Sequence, residues 1–185
     1  MGIEEPHSPE AQFPTWRTIT LGKEKTGIAY IKALSASRMP IHKDVREVLN
    51  SSEFSTSSIE TDVDLVVLTP VQLGLNQGTD FDVIRKRIEV VGLKLCPAEV
   101  GPALRLAYRD QPLGELLYIA TDPFLDKKQQ LTFPYLFTVG HDRRGMRMGS
   151  HVGHPSRLFI GDDDRLVLIS PPKRDVSGNT TVRFQ

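Results

Sequence analysis

The chain has 185 residues, 39 % hydrophobic and 25 % charged, which suits one domain with a core and excludes a wholly disordered chain. Its 23 Lys and Arg balance 23 Asp and Glu, so no whole-molecule field gathers nucleic acid or anionic lipid, although a local patch can. One cysteine, Cys96, excludes an internal disulfide and a Cys-rich zinc site.

Residues 1–15, with Pro6, Pro9 and Pro14, read as a flexible arm with no contribution to the core before Trp16. They lack the apolar run of a secretory signal, and no stretch reaches the ~18 apolar residues of a membrane helix. Together with a free thiol this predicts a cytoplasmic protein with no membrane partner. Residues 16–21 alternate and predict a short strand. Ile28, Ile31 and Leu34 predict a helix over residues 24–37, and Val45, Val48 and Leu49 a second over 43–50 beyond Pro40. The Ser-rich stretch within residues 51–60 reads as a connector, and as a mobile loop inside one domain spanning 16–170.

Val63, Leu65, Val66, Val67 and Leu68 predict a buried strand. The clearest helix follows: Thr79 or Asp80 as N-cap, an apolar face of Phe81, Ile84, Ile88 and Val91, and Gly92 as terminator. With residues 93–96 returning as a short strand, this segment reads as a possible βαβ unit. From Leu104 the period changes to two, with Leu104, Leu106 and Tyr108 alternating. Residues 116–120 predict a strand. Residues 135–139 and 146–151 predict a hairpin, and residues 157–160 and 165–169 a second one around Gly161. Residues 171–185 read as a flexible tail. The expected fold is α+β, with a helical N-terminal half and an antiparallel meander in the C-terminal half.

The block Leu95-Cys96-Pro97-Ala98-Glu99-Val100-Gly101-Pro102-Ala103-Leu104-Arg105-Leu106-Ala107-Tyr108 mixes Pro, Gly, Cys and charge in a way no periodicity produces. It resembles a block found in a family of short soluble bacterial proteins without an assigned activity. The similarity extends upstream through residues 63–67 and downstream through Gly114 and Glu115. The resemblance implies a bacterial or phage origin and one compact domain, and no reaction. This chain has Leu116 and Leu166 where those proteins carry tryptophan.

Within the block, Glu99, Arg105, Tyr108, Asp110 and Gln111 form the densest polar set. A catalytic reading makes Glu99 an acid/base and Arg105 an anion anchor, with Tyr108 and Asp110 as helpers. The plainer reading is a structural set that fixes the loop. His141, His151 and His154 are weak metal candidates, since a hairpin could bring His141 opposite His151, but their spacing matches no zinc signature. Asp162, Asp163 and Asp164 lack the interleaved pattern of a Ca²⁺ loop and read as a turn. Arg143, Arg144 and Arg147 make a basic hairpin tip that could track phosphates, without interleaved aromatics for stacking. Cys96 reads as a buried structural thiol rather than a nucleophile. No P-loop, dinucleotide fingerprint or nucleophile elbow occurs, and no cofactor is expected. The sequence therefore favours a protein that acts by binding, to a protein partner or to itself. A small-molecule hydrolase or transferase using Glu99 and Arg105 is the alternative, and a nucleic-acid modulator using the 141–151 hairpin a third.

Overall fold

The computed structural model describes residues 13–75, 78–128, 131–154 and 157–171. Its centre is a mixed seven-stranded sheet. Strand β1 (Arg17–Leu21) is an edge paired antiparallel to β2 (Thr61–Leu68). β2 pairs antiparallel with β9 (Arg165–Ile169), which lies parallel to β4 (Leu116–Ile119). β4 joins the twelve-residue β6 (Leu131–Asp142), whose other edge carries β7 (Gly145–Val152). β5 (Phe124–Lys128) extends the β4 side, so β4 and β5 share one edge of β6 in succession.

Strand alternation divides the interior between two faces. Leu65, Leu117, Ile119, Phe137 and Val167 point to one side. There they meet α1 (Gly27–Ala36), α2 (Lys43–Leu49) and α4 (Val100–Ala107) through Tyr30, Val45 and Leu104. Val66, Tyr118, Leu136, Leu166 and Leu168 point to the other, where α3 (Phe81–Val90) lays down Phe81, Ile84 and Ile88. Local chemistry sets the helix starts. Thr26 accepts from the Ala29 amide at the head of α1, and Asp80 from the Asp82 amide at the head of α3.

The expected layout of helices followed by an antiparallel meander does not form. The sheet draws β1 and β2 from the first half of the chain, and the late strand β9 inserts beside them, parallel to β4. Leu104, Leu106 and Tyr108, expected to begin the period-two region, fall in and just after α4, where Val100, Ala103 and Leu104 are buried at helical spacing. Pro102 is tolerated because it sits in the first turn, where the amide needs no intrahelical partner. Among the described residues of the 63–96 segment no βαβ unit forms: Lys94 makes an isolated antiparallel bridge to Ile169 instead of a parallel strand beside β2. The second hairpin is also absent. β8 (Phe159–Ile160) leaves β9 and pairs with β3 (Thr79–Asp80) in a separate two-stranded sheet. The Phe159 ring lies against Gly78, where a Cβ would come within 2.0 Å of it, and Asp162 accepts from the Gly78 amide at 2.6 Å.

Most of the expected arm and tail lies outside the described residues. Phe13, placed in the arm by the sequence, is 6 % exposed and belongs to the second core cluster. The Ser-rich connector is tied down. Phe54 is buried, Ser51 Oγ donates to the Val48 carbonyl, and Thr56 Oγ1 donates to the Lys25 carbonyl.

Candidate functional site

The conspicuous block is built into the interior. Glu99 precedes α4 but does not cap it; its side chain turns away and is 1 % exposed. Oε1 accepts from the Gly22 amide at 2.7 Å and the Tyr30 hydroxyl at 2.8 Å, and Oε2 accepts from the Ser57 amide at 2.7 Å. One carboxylate thus fastens the end of β1, helix α1 and the Ser-rich connector. Gly22 is needed there. Its φ is +77°, and a Cβ would lie 2.3 Å from the Ile59 carbonyl oxygen. Burial, and then the bond to Glu99, raise the Tyr30 phenol well above its ordinary value.

Arg105 faces elsewhere and does not pair with Glu99. Its side chain is fully buried. The guanidinium donates to Gln111 Oε1, to the carbonyls of Tyr108 and Gly140, and to Met146 Sδ. Gln111 passes the brace on to the Val139 carbonyl at 3.1 Å. Burial, with Arg109 adding to it, lowers the Arg105 pKa to about 10, and Nε has no partner among the described residues. Tyr108 packs edge-on against Trp16 beneath Arg17, and Asp110 holds Arg17 through both oxygens at 2.9 and 3.1 Å. Burial and the neighbouring Glu115 push the Tyr108 phenol up to about 12. Glu99, Arg105, Tyr108 and Asp110 line none of the three clefts at the surface.

The hairpin register separates the histidines. His141 stands opposite Met146, and His151 opposite Leu136, on the other face of the sheet. His141 Nδ1–H donates to the Gln111 carbonyl at 2.7 Å, and His151 Nε2–H to the Phe159 carbonyl at 2.9 Å. His154 bridges to Arg157. No three metal-ligating side chains converge among the described residues. Asp162 and Asp164 bind backbone amides of the surrounding turns. Arg143 and Arg144 are exposed at the hairpin tip, while Arg147 pairs with Asp142 at its neck. The Cys96 thiol is buried, donates to the Val167 carbonyl at 3.3 Å, and is pushed up by burial. A thiol in that position is not an activated nucleophile.

An open site lies on the second face of the sheet. α3 covers its centre, and beyond it β4, β6 and β7 form a cleft with Leu116 and Arg147 exposed at its rim. The cleft, of about 350 Å³, is floored by Thr138 and Gly149 and walled by Leu116 and Tyr118. Pro40, Ile41 and His42 close its outer side, held along β7 by backbone bonds between Pro40, His42 and Met148. Gly149 keeps the floor low, since a Cβ there would come within 2.8 Å of Thr138 Oγ1. Arg147 and His151 stand on the same side of β7 and line the cleft; His151 packs edge-on against Tyr118 with ring centres 5.1 Å apart. Burial, with Asp164 nearby, raises the Tyr118 phenol to about 12.

His42, Ser150 and buried Asp44 meet at the cleft edge, but not as a relay. Ser150 Oγ donates directly to Asp44 Oδ2 at 3.1 Å, and Asp44 and Ser150 both approach the same ring nitrogen, His42 Nδ1, at 3.3 Å. A nucleophilic triad needs histidine to bridge acid and hydroxyl through its two different nitrogens. Two further clefts flank the sheet. One, of about 450 Å³, shares Leu116 and Tyr118 but turns to Asp163, Asp164 and Glu115; the other, of about 360 Å³, lies between Asp82, Asp122 and Arg157.

Arg147 and His151 stand out in the sequence as chemistry-bearing residues; His42, Tyr118, Thr138 and Ser150 do not. The available signal is Gly149 inside a strand, which marks a close approach of something to the backbone. Among the described residues no helix is long and apolar enough to cross a membrane. No protein family, no curated protein and no solved structure matches the chain.

Proposed function

We propose that the protein acts by binding a small ligand in the β4–β6–β7 cleft. The observation that carries this reading is a concavity of about 350 Å³ with apolar walls and a few convergent polar groups. Small-molecule sites have that size and that composition. Binding is favoured over catalysis because Glu99 and Arg105 spend their hydrogen bonds on the fold, and because Ser150, His42 and Asp44 lack relay geometry. It is favoured over a broad protein interface because exposed apolar side chains such as Ile28, Ile59, Val71 and Val90 sit on separate elements.

The test is a fragment screen read by two-dimensional amide NMR. The expected result is a set of hits whose shifts centre on the amides of Tyr118, Thr138 and Gly149. Hits that shift only amides remote from this cleft, or no hits at all, overturn the reading.

A further inference from the structure

Building on that reading, we infer that the ligand is a small organic anion, with its charged group at Arg147 and its apolar body against Leu116 and Tyr118. The cleft lining includes one arginine and two histidines and no carboxylate. The nearest acids are Asp44, Asp142 and Asp164, the last bonded to the Tyr118 side chain. Asp44 is buried behind His42 and bonded to Ser150, and Asp142 lies at the hairpin neck against Arg147. That Arg147–Asp142 pair is solvent-exposed, with side chains 44 % and 37 % accessible, so it is worth little and leaves the arginine available. A guanidinium has five donor hydrogens, and no other Arg147 side-chain bond is described beyond the one from Nη1 to Asp142, so a carboxylate, sulfonate or phosphate can be held by the rest.

This surface is also polarised. Past the Leu116–Tyr118 ridge the neighbouring cleft turns acidic, with Asp163, Asp164 and Glu115. A ligand anion is therefore directed to the β7 side, and its apolar body lies toward the ridge. The rings of His42 and His151 line the same cleft as Arg147. Charge of one sign in a cleft with low-dielectric walls discriminates between ligands that share a shape.

Two dyes with one skeleton test this: 8-anilinonaphthalene-1-sulfonate, and N-phenyl-1-naphthylamine, which lacks the sulfonate. Both are titrated by fluorescence into the whole chain, and their positions are checked on the Tyr118 and Gly149 amides. The sulfonate is expected to bind at least about tenfold tighter. Arg147→Gln is expected to remove most of that advantage and to leave the neutral dye unchanged. The double variant Arg143→Gln/Arg144→Gln, which removes charge at the hairpin tip, is expected to change neither. Equal affinities of the two dyes in the cleft overturn the anion inference and leave the cleft reading standing. So does a loss of sulfonate binding with the tip variant equal to that with Arg147→Gln. If neither dye moves the cleft amides, both readings fall together.

Discussion

The two faces of the central sheet are finished differently. One is sealed by α1, α2 and α4, and polar residues are carried into its interior to lock the helices: Glu99 ties three chain segments, and Arg105 braces α4 against the hairpin. The other is covered by α3 over only part of its width, and it leaves a shallow cleft whose rim residues Leu116 and Arg147 are exposed. Glu99, Arg105 and Cys96 are on the sealed face, where their bonds are internal. The open face uses Thr138, Gly149, Tyr118 and His151. Chemical potency in a sequence is thus a poor guide to where a ligand goes; what matters is which face the fold leaves uncovered.

This contrast can be broken most forcefully at Arg105. Replacing it with alanine empties a fully buried volume and orphans Gln111 and two carbonyls, so denaturant unfolding should show a loss of about 3–5 kcal/mol. Arg105→Met refills much of the space and should lose at least about 1 kcal/mol less, which separates packing from hydrogen bonding. A smaller loss, of about 1–3 kcal/mol, is expected for Glu99→Gln. Its amide NH₂ must face a donor, the Ser57 amide on one side or the Gly22 amide and Tyr30 hydroxyl on the other. At the other extreme, Leu116→Ala at the cleft rim should stay within about 0.5 kcal/mol of the parent, because this side chain is 37 % exposed. If Leu116→Ala proved as costly as Glu99→Gln in the same denaturation series, the two faces would be equally sealed and the distinction would fail.

Much of the fold is legible where a single local rule is strong. α3 is written out by its N-cap Asp80 and the spacing of Phe81, Ile84 and Ile88, and the β6–β7 hairpin by alternation around Gly145. α4 is harder because Leu104, Leu106 and Tyr108 also fit period two. The helical spacing of Val100, Ala103 and Leu104 competes with them, and burial decides the outcome. The partnership of β8 with β3 rests on contact between residues far apart in the chain, which periodicity cannot encode. The same limit applies to the candidate site. The polar density of the block is plain in the sequence, but the donors that claim Glu99 come from 77, 69 and 42 residues away. Likewise, only the register 151-to-136 puts His151 beside Tyr118 and separates it from His141.

The position of β9 between β2 and β4 has a consequence for the order in which the molecule can be completed. Residues 165–169 are the last described strand, yet they bridge the early pair β1–β2 to everything built on β4 and β6. During synthesis, two partial sheets must wait, each presenting an unpaired apolar edge, until this segment emerges. Closure then requires pairing across about a hundred residues of chain, a non-local step that slows folding. A nascent chain halted before residue 165 therefore keeps two strand edges unpaired and open to aggregation, and the buried stretch Leu166-Val167-Leu168 is its keystone.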